Sequence, residues 1–331
     1  MDEDTQDLQT RDLFNQDSSS DSEKPLSKWI SIIALVLISI TAGAPSFCID
    51  NIVPLQNIIV ENMKLTELQY NVISSFYSIP NIFFVIFSGI IVDRIGHRFS
   101  TLLFTCFCFV GQIFLCLGVY KNVFMILLLG RFIFGIGSES LQVSSTKYLI
   151  IWFKGSLLNL SFGIQLAITR LLYFLNMFYS ERFYRFLLQK YVGYSKLTIA
   201  STVLVTGVAF CLLAVIFSII LWGLDRKYQP LAASTVQGAN NQTTVFGFGQ
   251  LQNLSPTFWV LGGLCFFFFL PFSSYNSISP LYFQLKYGYT TSKANSTLSV
   301  NAFISIFLCI IFGFVTGKIG IEILWCKYFY R

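Results

Sequence analysis

Charge is what this sequence has least of. Only 11% of its 331 residues are Asp, Glu, Lys or Arg, against about 25% in soluble domains. That shortage excludes a water-soluble globule, a nucleic-acid binder and a wholly disordered chain. Histidine is scarcer still. His97 stands alone, so neither a histidine metal site nor a Ser-His-Asp triad can be assembled. No Walker-type glycine loop occurs, which excludes an ATPase; no enzymatic activity and no cofactor are expected. The N-terminus lacks a basic n-region, so it is not read as a secretory signal peptide. The eight cysteines show no metal-ligand spacing, and Cys106, Cys108, Cys116, Cys211, Cys265 and Cys309 lie inside apolar runs. They read as small buried hydrophobes, not as a disulfide framework.

What the sequence does have is apolar length. Hydrophobic residues make up 54% of it and aromatics 17%, with a mean hydropathy of +0.66. Runs of about 20 such residues cross the roughly 30 Å hydrocarbon core as helices. Eight are expected, at 28–49, 69–92, 99–119, 123–150, 157–180, 197–223, 257–285 and 295–317. An outer-membrane barrel would show alternating segments of about ten residues instead. The fold class is therefore an all-α polytopic membrane protein. Residues 1–25, with eight acids and one base before Lys24, read as a disordered cytosolic tail. Residues 26–224 read as a six-helix bundle, 225–256 as a polar cytosolic linker and 257–331 as part of a second bundle. Asn51 to Met63 reads as an amphipathic extension of the first span, and the basic, aromatic stretch between spans five and six as an interfacial anchor. Six spans, a linker and further spans is the layout of a transporter built from two six-helix halves. Loop bases divide nine to eight between the two sides, which sets no orientation.

Two places carry chemistry. Between spans two and three the chain reads Gly89-Ile-Ile-Val-Asp93-Arg94-Ile-Gly96-His97-Arg98. A tight turn between helices needs glycine. An acid among bases can latch such a turn to a neighbouring helix in one conformation and release it in another. Gly89, Asp93, Arg94, Gly96 and Arg98 are thus the candidate gating residues. Deeper in the membrane, span four holds Arg131 and Glu139 and span five holds Arg170. An ionisable group unpaired in lipid costs at least about 2.5–3.5 kcal/mol, so these must face the bundle interior or a wet cavity. Gly135 and Gly137, with Ser138 and Ser140, allow close helix packing around them. Counted along their helices, Glu139 lies roughly 24 Å and Arg170 roughly 20 Å from a membrane face, both near the midplane. They read either as a structural ion pair or as two poles for a zwitterion. In the second case Glu139 takes an amine and Arg170 grips a carboxylate with its two-pronged guanidinium. Arg131 is a candidate proton relay beside Glu139.

The Gly89–Arg98 stretch resembles the G-x-L-a-D-R-x-G-R-K signature of the major facilitator superfamily, with His97 where a base is usual. YSIPN (77–81), GRFIFGIGSESL (130–141), WFKG (152–155), LNLSFGIQLAITR (158–170) and DNIVPLQ (50–56) resemble the lysosomal dipeptide-transporter group within it. This resemblance runs from about residue 48 to residue 325. It implies a twelve-helix, proton-independent uniporter in an endomembrane, with its N-terminus cytosolic. It implies that Glu139 and Arg170 hold the peptide termini, with Tyr77 and Gln165 beside them. A glycosylated single-span accessory protein is an implied candidate partner, besides the dipeptide and the bilayer. Asp50 and Asn51, at the end of span one, are read as helix-end capping. Three departures stand against the resemblance. The second-half counterpart of the signature, from Gly313 to Gly320, has glycine where the family has aspartate. The tail has no clean acidic dileucine signal. The chain also stops where a ninth helix should start, so four helices are expected to be missing. The sequons at Asn241 and Asn295 fall where glycans are not expected. A proton-coupled organic-solute carrier of the same superfamily and a truncated, non-transporting membrane fragment remain as alternatives.

Overall fold

A computed structural model describes residues 28–228 and 256–319. The acidic tail, most of the expected linker with its sequon at Asn241, and residues 320–331, where a ninth helix was looked for, lie outside the described residues. Among the described residues nine α-helices follow one another: α1 (Lys28–Ile49), α2 (Gln56–Met63), α3 (Glu67–Ile95), α4 (His97–Lys121), α5 (Phe124–Trp152), α6 (Ser156–Lys190), α7 (Lys196–Tyr228), α8 (Pro256–Tyr287) and α9 (Thr291–Ile319). Each of the eight expected spans falls on one of the long helices. Among the described residues six helices are long and apolar enough to cross a membrane, or seven if α3, bent by 53° between Val85 and Phe87, is one span. No strand occurs among the described residues.

Local chemistry explains the joints. The extension after α1 becomes a short 3-10 turn at Val53–Leu55 followed by α2, which buries Leu55, Ile59 and Met63. Lys64, in the left-handed region at φ 53°, ends α2. Thr66 then opens α3 with a capping box: its hydroxyl accepts from Gln69 N–H at 3.2 Å, and Gln69 Oε1 accepts from Thr66 N–H at 2.9 Å. Gly96 turns the chain from α3 into α4 at φ 89°, a conformation glycine adopts without strain. α7 runs through Tyr228, which takes Asp225 into the helix.

Packing is by small residues. α4 and α5 lie antiparallel so closely that a Cβ on Gly111 would sit 2.5 Å from Phe134 N, and one on Gly118 2.5 Å from Leu127 N. Gly135 meets Pro80 of α3, and Gly137 meets Cys108 of α4. α1 packs on α6 and α7, α4 on α5 and α7, and α3 on α5. One core cluster gathers Leu55, Ile59, Ile73, Leu115, Leu127 and Val203 at the far end from the N-terminus. Another joins Ile38, Tyr148, Trp152 and Leu221 at the near end. α9 lies antiparallel along α6, and α8 packs chiefly on α9. At about 52 Å, α6 outruns the hydrocarbon core, so the expected interfacial stretch begins as helix. Glu181 and Arg185 pair at 2.7 Å there.

The α6–α9 seam positions the site. At the N-terminal face the two backbones touch, with Gly163 against Gly313 and Cys309, and Ser156 against Gly317. Toward the opposite face the ring of Phe174 meets that of Phe303 at 5.6 Å, and Arg182 Nη2 donates to Ser296 Oγ at 3.3 Å. Thr169, Arg170 and Tyr173 of α6 and Leu298, Asn301 and Ser305 of α9 lie along this seam beside a cavity.

Candidate functional site

Beside the α6–α9 seam lies a cavity of about 440 Å³, lined by residues of α1, α6, α8 and α9. This is within the range of roughly 300–1,000 Å³ typical of small-molecule sites. Its polar wall consists of Ser46 of α1 and Asp50 at its end, Thr169, Arg170 and Tyr173 of α6, and Asn301 and Ser305 of α9. Ile49, Phe268 and Leu298 supply apolar surface. Thr169 returns its hydroxyl to Gln165 O at 2.9 Å. Arg170 and Asp50 have no ion-pair partner within 4 Å among the described residues. One acid and one base therefore face the same cavity without being neutralised by direct contact.

The end of α1 is held by Arg131 of α5. Only 2% exposed, Arg131 donates from Nη1 to Ile49 O at 2.6 Å, which satisfies a carbonyl that the helix end leaves free. Its Nε is buried without a partner. The expected side-chain capping by Asp50 and Asn51 does not occur. Asp50 turns into the cavity, while Asn51 Oδ1 accepts from Ser180 at 3.3 Å.

Glu139 faces another way. It accepts from Tyr77 Oη at 2.8 Å, and that hydroxyl accepts in turn from Ser138 Oγ at 3.0 Å. Tyr77 and Glu139, both singled out from sequence, are thus brought together across α3 and α5. Gln165 donates to Ser145 at 3.1 Å, tying α6 to α5. No ion pair joins Glu139 to Arg170 among the described residues, and Glu139 is not on the wall of the Arg170 cavity. A structural salt bridge between spans four and five is therefore absent from this conformation.

The candidate gating turn lies at the opposite end from the cavity. Asp93 accepts from Lys147 of α5 at 2.5 Å, in a pair whose side chains are 68% and 34% exposed. Arg94 is exposed, and the space around Gly89 is open. Arg98 and His97 both bind Asp225 at the end of α7, His97 from Nε2 at 3.1 Å. Trp152 of α5 donates to the other carboxylate oxygen at 2.8 Å. Asp225 is fully buried and joins α4, α5 and α7. Sequence reasoning missed Asp225, Lys147, Tyr173, Asn301 and Ser305. The one signal for Asp225 was an acid directly before Arg226 and Lys227 at the end of a span. Because the Asp93–Lys147 pair is exposed, Asp93→Asn is expected to change stability by no more than about 0.5 kcal/mol. Thermal unfolding in detergent checks this.

The profile of the Major Facilitator Superfamily matches residues 31–326. The chain belongs to that superfamily. Its helices superpose on the solved MFS proton:xylose symporter XylE bound to 6-bromo-6-deoxy-D-glucose. The TM-score is 0.60 over 87% of this chain and 69% of that one, at 16% identity, which speaks to fold alone. Among curated relatives, the lysosomal dipeptide transporter MFSD1 of Bos taurus is 29% identical over 295 residues, covering 89% of this chain and 62% of its own length. The MFSD1 of Homo sapiens is 29% identical and that of Danio rerio 30%, each over 89% of this chain and 63% of the relative. The chain thus spans about three-fifths of the length of these relatives. As a facilitator-superfamily member it is a multi-pass membrane protein.

Proposed function

We propose that this facilitator-superfamily chain moves dipeptides, or small zwitterions like them, by alternating access as a uniporter in an endomembrane of the lysosomal type. The observation that carries this reading is Arg170, a cation near mid-membrane on the wall of a cavity of about 440 Å³, with no carboxylate among the described residues bound to it. Intramembrane charge of this kind is functional by default, and a guanidinium suits a carboxylate end. The names of the MFSD1 relatives support the substrate class. Glu139, with Tyr77, is the proposed amine pole in the state where it faces the substrate. Gln165 positions α6, and the Gly89–Arg98 turn biases the conformations without touching substrate. The N-terminus is proposed to be cytosolic. A glycosylated single-span protein remains the candidate accessory partner, on the strength of the resemblance alone.

The test is vesicle counterflow with labelled L-alanyl-L-alanine at equal pH on both sides. Uniport predicts exchange without a proton gradient. Arg170→Lys keeps the charge but loses the fork, and should slow exchange of the free dipeptide at least tenfold, or about 1.4 kcal/mol. Recognition of the C-amidated peptide should be spared. Equal loss for both peptides would remove the carboxylate role.

A further inference from the structure

We propose that Asp50 binds the substrate's ammonium group in the conformation seen here, and so forms with Arg170 a two-pole zwitterion site on the far side of the glycine crossing. The inference rests on the reading of Arg170 above and adds a residue to it. Asp50 is the only acid among the described residues that line the cavity. Its backbone carbonyl accepts from Val53 N–H at 3.1 Å, as part of the turn that ends α1. Its carboxylate has no hydrogen bond or ion pair within the described protein, and none is made to the helix end it follows.

Its position is nevertheless fixed. The Arg131 bond to Ile49 O anchors the residue directly before it, and Phe47 and Cys48 are buried in the core between α1 and α7. A carboxylate held this way at the C-terminal end of a helix, where the dipole is negative, suits a cation that brings its own hydrogen-bond donors. Across the cavity Arg170 offers the complementary pole, and Asn301 and Ser305 of α9 add neutral polar groups. The wall carries one negative and one positive side chain, so it matches a net-neutral zwitterion better than a simple anion or cation. An extended dipeptide separates its two ends by roughly 6–7 Å.

Glu139, the acid that the sequence puts forward, is committed to Tyr77 and lies off this wall. In the conformation seen here the acid that shares the cavity with Arg170 is therefore Asp50.

The experiment is equilibrium binding of L-alanyl-L-alanine, its N-acetyl form and its C-amide to the purified chain, with thermal stability measured on every variant. The stability control is needed because the charge of Arg131 also acts on Asp50. Asp50→Asn should weaken Ala-Ala and the C-amide at least tenfold and leave N-acetyl-Ala-Ala unchanged. Asp50→Glu keeps the counter-charge for Arg131 but moves the carboxylate. It should fold normally and weaken Ala-Ala at least threefold while sparing the N-acetyl peptide, so it serves if the asparagine variant unfolds. If Glu139→Gln alone removes the preference for a free amine and both Asp50 variants keep it, Asp50 is not the pole, while the transport reading stands. If Arg170→Lys fails to discriminate the C-amide, the carboxylate role of Arg170 fails, and the Asp50 proposal with it.

Discussion

Asp225→Ala is expected to lower the stability of the chain by about 3–5 kcal/mol, the cost of removing one partner from a buried charged network. Asp225 has no solvent-exposed side-chain surface, and its two oxygens serve Arg98, His97 and Trp152. Alanine would take the carboxylate from Arg98 Nε and the Trp152 N–H, at the point where α4, α5 and α7 meet, while Arg98 Nη2 keeps its bond to the residue's backbone carbonyl at 3.3 Å. His97 would keep its edge-on contact with the Tyr148 ring, 4.5 Å between centroids, but lose its carboxylate. Asp225→Asn retains an oxygen for Trp152 and should cost less than alanine. Thermal or denaturant unfolding in detergent reads the difference, with Asp93→Asn as the exposed comparison. A loss below about 1 kcal/mol for Asp225→Ala would show that the network does not hold these helices together.

Gly163→Val should have the second large effect, through the seam between α6 and α9. A Cβ at Gly163 would lie 2.7 Å from Cys309 O and 3.0 Å from Gly313 Cα. Those are backbone atoms, and no side-chain rotation relieves the clash. Overpacking of this sort costs about 1–3 kcal/mol, and here the helices can escape it by separating at the N-terminal face. The variant should therefore lose dipeptide exchange more than tenfold, even where it remains folded, because the cavity can no longer be sealed on that side. Gly223→Val is the control. Nothing lies within 4 Å of its added Cβ, so stability and exchange should stay near those of the parent chain. If Gly163→Val exchanges dipeptide as fast as the parent, the glycine contact is not a closure.

The sequence shows the spans well because length and hydropathy are local properties. A run such as ISIIALVLISI in α1 has one way to satisfy its backbone in lipid. Depth was equally legible, since 1.5 Å per residue places Glu139 and Arg170 near the midplane without any knowledge of neighbours. Rotation about the helix axis was not. Which way Glu139 points is decided by Tyr77, 62 residues earlier, and by the close approach of α3 at Gly135. Depth alone suggested that Glu139 and Arg170 face one another, and in this conformation they do not pair. Asp50 was obscured for a related reason. A residue at the end of a span looks like a cap, and only the arrival of α6 and α9, more than 100 residues later, makes that end a cavity wall. Asp225 fell at the edge of a polar stretch that reads as linker, while its partners come from α4 and α5. The gating turn was found because its glycine and charge spacing is contiguous. Its bond to Lys147 was not, because that lysine sits near the end of an apolar run.

The most direct test of the central claim, that the cavity between α1, α6, α8 and α9 is the substrate site, is an experimental structure of the protein with L-alanyl-L-alanine bound. The account predicts peptide density in that cavity. Its carboxylate should lie about 2.7–3.2 Å from the Arg170 guanidinium and its ammonium at similar range from Asp50, with Gly163 and Gly313 still in contact. Density elsewhere in the bundle, with Arg170 and Asp50 facing only solvent, would contradict it.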